Sequence, residues 1–484
     1  MDGWECRTQL AGFFSGGCGV AGHPAEGVAA QLDAPQPDGD AMPTHDADVA
    51  VSHADVVHLV AEAVDGGPTT GSGVGLELEL LPVTRVTPTR RLRLNEPVGS
   101  VPSIAEVVAL GRADAAAHGS SLTVEPGGQV EIATSCCQRV PDALDELTRT
   151  AGRVAARFDA VGGSLLAAGL DVWHDVATAP QQLPAPRYRR MHAHLAARGS
   201  DGPLMMRHTC ALQINLDLGT GAEADARWAV TNLLAPLATA TFAASPAGVA
   251  GRRVRSRRSL AWQALDPTRT GFAPGFLADR GDVADHVLEL ALTADVLLLS
   301  ALGPSGGRPD VRSLDDWLRH GHAVGRPTEA DVREHLTTLF PEVRARGFLE
   351  LRAIDAVPAR FRRALVLLVA GAVLDARARD AILGLLEPYR AGLPDLARRC
   401  ATEGLSDPRL CALAVEVWAY ARDGAARLPG VTRADGMAVE GYVDRFTVRG
   451  RAPADELAEL LERDPLLALD WAAEPLPTTA EVHR

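Results

Sequence analysis

The sequence predicts an α+β fold, in which an antiparallel sheet is surrounded by helices and followed by a helical C-terminal region. Four short segments alternate apolar with polar residues, as strands with one buried face do. Helical spacing of apolar residues is more frequent, and it is almost continuous from about Ala359 to Ala425. With 46% hydrophobic and 23% charged residues among 484, the composition is that of a globular protein.

The predicted elements begin after an N-terminal stretch without periodicity. Residues 1–47 are rich in Gly, Pro, Ala and Asp, and we expect a poorly ordered extension there. A helix is predicted between Asp48 and Val64. Strands are predicted where alternation is clear, at Val74–Leu80, Gln129–Ile132, Leu212–Asp217 and Leu349–Arg352.

Further helices follow from the spacing of apolar residues, and no boundary between independent domains stands out. Thr328 and Asp331 have the spacing of a capping box, which marks a helix start. Pro236 predicts a bend in the helix that contains it. The predicted helices are Asp142–Val161, Asp225–Ala244, Asp282–Ser300, Thr328–Phe340 and Ala454–Glu462.

All 48 basic residues are arginine, because the sequence contains no lysine. This excludes a lysine Schiff base, a phosphate-loop lysine and a lysine general base. A nucleotide would therefore be held by arginine, metal ions or backbone amides. The net charge of −14 argues against a nucleic-acid partner, which usually needs a basic face.

The seven cysteines and the N-terminus predict a cytoplasmic protein. The cysteine number is odd, no metal-ligand spacing occurs, and Cys136 and Cys137 are adjacent, so free thiols in a reducing compartment are expected. Cys210 is interpreted as a buried structural thiol. The first ten residues lack the apolar core of a secretion signal, and no apolar run is long enough for a membrane span.

Five glutamates on or beside the predicted strands are the strongest functional signal. Glu77 and Glu79 lie two residues apart on one strand and face the same way. Glu125 and Glu131 flank a Pro-Gly-Gly turn, and Glu350 lies on the last strand. Carboxylates among aliphatic residues need a countercharge, and Mg²⁺ prefers such oxygen ligands while leaving positions for phosphate. The alternative is an antiparallel sheet with a solvated polar face.

Two arginines complete the predicted site. Arg352 lies two residues from Glu350 and shares its face. Arg258 ends a basic run that precedes Trp262. Near bound metal ions, such arginines would bind a substrate carboxylate and stabilise a transferring phosphoryl group. Taken alone, the basic run is also compatible with a solvated surface.

Eight motifs, in order and with compatible spacing over about residues 48–425, resemble the plant-type glutamate–cysteine ligases. EPGGQVE and HLTTLFPEVRARGFLELR are the most specific; the others are GLELE, LPAPRYRRM, TCALQINLD, LAPLATATFAASP, SRRSLAW and DPTRTG. The actinobacterial branch that starts ergothioneine synthesis is most similar, and its likeness extends to RAPAD at 451–455.

The resemblance implies a glutamine-synthetase-like catalytic sheet in one catalytic domain over 48–484, with a helical part from about residue 359. It implies that ATP and Mg²⁺ are used to join the glutamate γ-carboxylate to the cysteine amine through a γ-glutamyl phosphate, in a monomer or homodimer. The implied metal ligands are Glu77, Glu79, Glu125, Glu131 and Glu350. The implied catalytic residues are Arg258, Glu350 and Arg352, and the implied substrate and ATP contacts are Arg187, Tyr188, Gln213, Asn215, Arg258, Trp262 and Arg269.

Two alternatives remain open from the sequence. The first is a γ-glutamyl ligase that uses a different amine in a specialised pathway. The second is a non-catalytic protein that binds a nucleotide or amino acid on the same scaffold. Two further histidines, His192 and His194, are interpreted as surface residues in a loop or at a helix end.

Overall fold

The computed structural model describes residues 49–65, 72–86, 88–297, 312–322 and 325–477. The extension predicted at residues 1–47 lies outside the described residues. Within these ranges the chain forms nine strands: β1 Val74–Thr84, β2 Ser121–Val124, β3 Val130–Ala133, β4 Gly163–Leu166, β5 Leu212–Asp217, β6 Ala247–Val249, β7 Arg252–Val254, β8 Val343–Ala345 and β9 Phe348–Leu351.

Seven of these strands form one antiparallel sheet in the order β2-β3-β1-β5-β9-β8, and β4 pairs with the second half of β1. The long strand β1 is therefore central and pairs with β3, β4 and β5. Strands β6 and β7 form a separate hairpin, which contains part of the basic run before Trp262. The predicted α+β class and antiparallel sheet are confirmed.

The described helices of seven or more residues surround this sheet. They are α1 His53–Asp65, α2 Ile104–Ala117, α3 Val140–Ala160, α4 Pro186–Arg198, α5 Asp201–His208, α6 Ala222–Phe242, α7 Arg257–Leu265, α8 Val283–Thr293, α9 Leu314–His320, α10 Glu329–Leu336, α11 Ala359–Leu374, α12 Ala376–Leu386, α13 Leu393–Thr402, α14 Pro408–Ala425, α15 Arg433–Arg445, α16 Pro453–Arg463 and α17 Pro465–Ala472.

The apolar face of the sheet lies against the core. Leu76 and Leu78 of β1 and Ile132 of β3 are fully buried on this face. Helix α3 contacts β1 and β4, α11 contacts β5, and α6 contacts β8 and β9. Helix α11 is apolar on nearly all sides, as expected for a helix inside the core. The opposite face of the sheet carries the polar residues.

The structure corrects several sequence predictions. The helix expected over Asp282–Ser300 ends at Thr293, and residues 298–300 lie outside the described part. Thr328 caps α10 in a capping box with Asp331, but that helix ends at Leu336. The surface interpretation of His194 is wrong, because it lies on α4, is only 7% exposed and contacts Asp266 at 3.7 Å.

The short strands and several helices escaped prediction for a physical reason. Strands of three or four residues give too few alternations to be distinguished from loops. In helix α4 the buried stripe consists of Tyr188, Met191, His194 and Leu195, and the arginines between them obscure its spacing in the sequence. None of the described helices has the length and apolar character needed to cross a membrane.

Candidate active site

The register of the sheet places four of the five predicted glutamates on its polar face. Glu79 of β1 is the direct cross-strand partner of Glu131 on β3. On the other side of β1, Glu77 pairs with Gln213 of β5. Glu350 of β9 pairs with Asn215 of β5. Since directly paired residues on antiparallel strands point to the same side, these side chains share one face.

The fifth glutamate is held by a tight turn between β2 and β3. The backbone N–H of Gly128 donates to Glu125 O at 2.8 Å, and that of Glu125 donates to Gln129 O at 2.8 Å. Gly128 has a φ of +85°, which favours glycine. A Cβ on Gly127 would lie 2.4 Å from Arg207 O, so only glycine allows this close approach. The Pro-Gly-Gly turn predicted from the sequence is present.

A buried ion pair between Arg91 and Asp171 holds that turn in place. Arg91 donates through Nη2 to Gly127 O at 2.7 Å and through Nη1 to Asp171 at 2.8 Å. Gln182 Nε2 also donates to Gly127 O at 2.7 Å. Arg91 and Asp171 are 5% and 4% exposed. The sequence offered no signal for this support, because its members come from distant segments and match no local motif.

Four of the glutamates lack sufficient countercharge in the described structure. Burial, followed by repulsion from Glu131 and Glu350, raises the pKa of Glu77 to about 8. Burial and Glu79 raise the pKa of Glu131 to about 7. The pKa of Glu125 is raised by burial and its carboxylate neighbours, and that of Glu79 is raised by burial despite Arg258 nearby. This cluster would favour a bound cation.

Glu350 differs from the other four because two arginines already neutralise it. Arg344 donates to both of its oxygens, at 2.7 and 2.9 Å, and Arg352 Nη1 donates to Oε1. Burial alone would raise the pKa of Glu350, but these arginines outweigh it and lower the pKa to about 2. Sequence reasoning missed Arg344, although it lies on β8, the short strand that directly follows the PE pair.

The oxygen atoms on this face of the sheet are of the kind that Mg²⁺ prefers. The side chains that carry them, however, do not converge on one point. Among the described residues, no three His, Cys, Asp or Glu side chains are close enough to hold a metal ion. Asn215 Oδ1 is buried and has no hydrogen-bond partner, while Asn215 Nδ2 donates to Glu77 at 2.8 Å. The raised carboxylate pKa values and this free amide oxygen match the ligands that Mg²⁺ prefers. Rotation of the glutamates would be needed to close the coordination.

Arg352 and Arg258 lie where the sequence predicted, beside the carboxylates. Arg352 Nη1 donates to Gln213 Oε1 at 2.7 Å, which links the two polar strands. Arg258 Nη2 donates to Arg352 O at 2.7 Å. Trp262 packs under both arginines, with its ring centre 5.5 Å from the Arg352 guanidinium carbon and 5.9 Å from that of Arg258. The two guanidinium groups are the positive side of the site.

The remaining predicted substrate and ATP contacts lie in different parts of the structure. Tyr188 is buried, and burial together with the Glu125 carboxylate raises the pKa of its hydroxyl, which places it beside the cluster. Arg187 lines a separate small cavity with His335 and Thr338. Arg269 is fully buried, and its three nitrogens donate to Asp266, Thr338 and Asp295. Arg269 therefore connects segments of the protein interior, and its contact with substrate or ATP stays a prediction.

The chain is similar in sequence to known proteins over most of its length. Residues 73–468 match the family model described as glutamate-cysteine ligase family 2. The chain is 30% identical to the glutamate–cysteine ligase EgtA of Mycobacterium tuberculosis over 445 residues, covering 89% of this chain and 94% of the relative. It is 28% identical to the chloroplastic glutamate–cysteine ligase of Nicotiana tabacum, over 70% of this chain and 66% of the relative.

A solved structure shows that the fold is shared. The glutamate–cysteine ligase of Francisella tularensis in complex with AMP superposes with a TM-score of 0.50 at 16% identity, covering 83% of this chain and 87% of that one. The fold expected from the resemblance is thereby confirmed. The family match covers far more than half of the chain, and the match to EgtA extends over nearly all of the relative. The chain belongs to glutamate-cysteine ligase family 2.

Proposed function

We propose that this protein joins the γ-carboxylate of glutamate to the amine of cysteine in an ATP-dependent reaction, which gives γ-glutamylcysteine. The observation that carries the proposal is the polar face of the sheet, where four carboxylates with uncompensated charge lie beside Arg258 and Arg352. Carboxylates suited to a divalent cation, next to guanidinium groups, are what phosphoryl transfer to a carboxylate requires. Family membership and the similarity to glutamate–cysteine ligases support the choice of substrates.

The reaction has two chemical steps. The glutamate γ-carboxylate attacks the γ-phosphorus of ATP, so that ADP leaves and γ-glutamyl phosphate forms. The cysteine amine then attacks the γ-carbonyl carbon, phosphate leaves, and the nitrogen loses a proton. Water must be kept out, because it would hydrolyse the acyl phosphate. The site also has to bind the two carboxylates of glutamate, the triphosphate of ATP and the carboxylate of cysteine near its own glutamates.

The acidic and the basic residues of the site would have different roles in this reaction. Glu77, Glu79, Glu125 and Glu131 would hold Mg²⁺, with Glu350 as a fifth ligand if it is released from Arg344 and Arg352. When bound, Mg²⁺ would offset the charge that develops on the transferring phosphate oxygens. Arg352 would steady the acyl-phosphate step, and Arg258 would bind a substrate carboxylate or phosphate. In the absence of lysine, phosphate contacts come from guanidinium groups and metal ions.

Gln213, Asn215, Tyr188 and Trp262 would shape the space around the substrates and the nucleotide. Gln213 and Asn215 lie between the strands that carry Glu77 and Glu350. We further propose that the catalytic domain spans 48–484 and that the product enters ergothioneine synthesis, on the basis of the similarity to EgtA.

Mass spectrometry of the product tests the function. Purified protein is incubated with Mg²⁺, ATP, glutamate and cysteine, and ADP is measured in parallel. We expect γ-glutamylcysteine, and ADP release that needs all components. A panel of other amines separates the proposed activity from a γ-glutamyl ligase of different acceptor specificity: a faster product from another amine would replace cysteine as the substrate. ATP binding that does not depend on Mg²⁺, without turnover, would instead indicate a non-catalytic binding protein.

A further inference from the structure

A small cavity lies behind the two site arginines and includes a carboxylate that has no role in the mechanism above. Its lining includes the two arginines Arg258 and Arg352, the aromatic residues Trp262 and Phe340, and Glu342. The two rings meet edge to face, with centres 5.7 Å apart. Because the arginines also face the carboxylate cluster, the cavity adjoins the proposed active site.

Three polar atoms in the lining lack partners. Glu342 Oε2, Arg258 Nε and Trp262 Nε1 are shielded from solvent, and none has a hydrogen-bond partner in the described part of the chain. The other Glu342 oxygen accepts only a long hydrogen bond of 3.4 Å from the Ser259 hydroxyl. Buried polar atoms are normally satisfied, so three that line one cavity are suited to a polar ligand.

The donor or acceptor character of the three atoms determines which chemical groups they can bind. Arg258 Nε and Trp262 Nε1 are donors and suit a carboxylate, whereas Glu342 Oε2 is an acceptor and suits a cation. A carboxylate and an ammonium a few ångströms apart are the common part of every α-amino acid. The cavity is small, so it would receive the α-carbon end of an amino acid and leave its side chain to extend towards the glutamate cluster.

Resting on the proposed function, we infer that Glu342 binds the α-ammonium group of the donor glutamate, whose α-carboxylate lies on Arg258 and Trp262. The γ-carboxylate would then reach the face that carries Glu79 and Arg352. The electrostatics favour binding of a cation at Glu342. Burial raises the pKa of Glu342 to about 7, although Arg258 and Ser259 act against this shift. A bound ammonium would restore the charged carboxylate.

This contact has a chemical purpose beyond affinity. Once γ-glutamyl phosphate forms, its own α-amine could attack the γ-carbonyl carbon. The new C–N bond would form as the bond to the phosphate oxygen breaks, phosphate would leave with the electron pair, and the nitrogen would lose a proton to give 5-oxoproline. An ammonium has no lone pair. By holding the α-nitrogen protonated and turned away, Glu342 would prevent this loss of the activated intermediate.

The test compares glutamate with glutarate, which lacks the α-amine, by calorimetry on the full-length protein with Mg²⁺ and a non-hydrolysable ATP analogue. Glu342→Gln keeps the shape but removes the charge. We expect its Kd for glutamate to rise by about tenfold or more, as for loss of a charge-assisted hydrogen bond, with Kd for glutarate unchanged. During turnover, the ratio of 5-oxoproline to γ-glutamylcysteine should increase. Glu329→Gln, at an exposed residue outside the cavity, is the matched control.

The outcomes distinguish this inference from the proposed function. Unchanged glutamate affinity in Glu342→Gln overturns the assignment, as does an equal weakening for glutamate and glutarate, which would mean a purely structural role. Thermal melting of each variant confirms that it is folded. If wild-type protein binds glutamate but makes no γ-glutamylcysteine, the proposed function is wrong, while the comparison of the two ligands still decides the role of Glu342.

Discussion

Glu79 and Glu131 are direct partners across two antiparallel strands, and both carboxylates point to the same face of the sheet. Like charges in this position destabilise a sheet. Thr123 donates to Glu131 at 2.8 Å, and the backbone N–H of Ala211 donates to Glu79 at 2.7 Å, but neither contact supplies a positive charge. The protein thus maintains a repulsive pair, and the proposed bound cation would relieve this repulsion.

The first prediction is that Glu131→Gln stabilises the metal-free protein and removes its response to Mg²⁺. Because the pKa of Glu131 is raised to about 7 when folded, its ionisation costs stability as pH rises from about 4.5 to 7, and this cost is fully present at pH 8. We expect the free energy of unfolding of Glu131→Gln to exceed that of wild type by roughly 1–3 kcal/mol at pH 8, as measured by urea denaturation.

The same variant tests the metal site in a second measurement. Mg²⁺ with ATP should raise the melting temperature of wild type by about 2 °C or more and have little effect on Glu131→Gln, in which turnover is lost. Glu403→Gln, at an exposed residue, serves as the control. A Mg²⁺ response of wild-type size in Glu131→Gln would remove this residue from the metal site.

The second prediction concerns the position of a charge rather than its presence. Arg352 contacts both Glu350 and Gln213 through Nη1. Arg352→Lys keeps the positive charge but not the planar fork, and we expect kcat to fall by about 100-fold or more, as when one donor to a developing oxyanion is lost. The control is Arg319→Ala on an exposed part of α9. Activity of Arg352→Lys within about threefold of wild type would rule out a directed role for the guanidinium.

The sequence was sufficient to predict which of these side chains lie together, because strand periodicity determines which side chains share a face of the sheet. Alternation along β1 predicts that Glu77 and Glu79 lie on one face, alternation along β5 predicts the same for Gln213 and Asn215, and the sheet brings the two pairs together. The cross-strand register, however, depends on packing across distant segments. The pairing of Glu79 with Glu131 could not be inferred from spacing alone.

The environment of two charged residues, Arg269 and Glu342, could not be read from the sequence. Arg269 follows a conspicuous motif, yet all three of its nitrogens are bound inside the protein. Glu342 lies in the same specific motif as Arg344, but an isolated glutamate before a strand resembles a surface residue, and the sequence gives no sign that one of its oxygens lacks a partner. Burial and missing partners are properties of the three-dimensional arrangement, and neither leaves a periodic signal.

The third prediction is a loss of stability in mild acid that depends on His335. This histidine is 2% exposed, and its Nε2 donates to Ala291 O at 2.8 Å. Burial, with Arg269 nearby, lowers its pKa to about 4. A histidine with a lowered folded-state pKa stays neutral when folded but protonates when unfolded, so stability falls as pH decreases from about 6.5 to 4.

We expect His335 to contribute up to about 3 kcal/mol to this loss, measured as the difference in unfolding free energy between pH 7.5 and pH 4.5. His335→Gln should show a smaller difference, whereas the exposed substitution His58→Gln should behave as wild type. Some pH dependence will persist in His335→Gln, because burial also lowers the pKa of His208 to about 4. If the difference in unfolding free energy between pH 7.5 and pH 4.5 is the same in His335→Gln as in wild type, the His335 imidazole is protonated in the folded wild-type protein at pH 4.5.

The fourth prediction uses two glycines as a matched pair. In Gly127→Ala, the new Cβ would lie 2.4 Å from Arg207 O and 2.5 Å from Arg207 Cα, so the turn that presents Glu125 must move. We expect kcat to fall by about tenfold or more and the unfolding free energy to fall by about 1–3 kcal/mol. In Gly248→Ala the Cβ meets no atom within 4 Å, so both quantities should stay close to those of wild type. The atoms in close approach belong to the backbone of Arg207, so rotation of a side chain cannot remove the clash. Full activity in Gly127→Ala would therefore mean that the position of Glu125 is not needed for turnover.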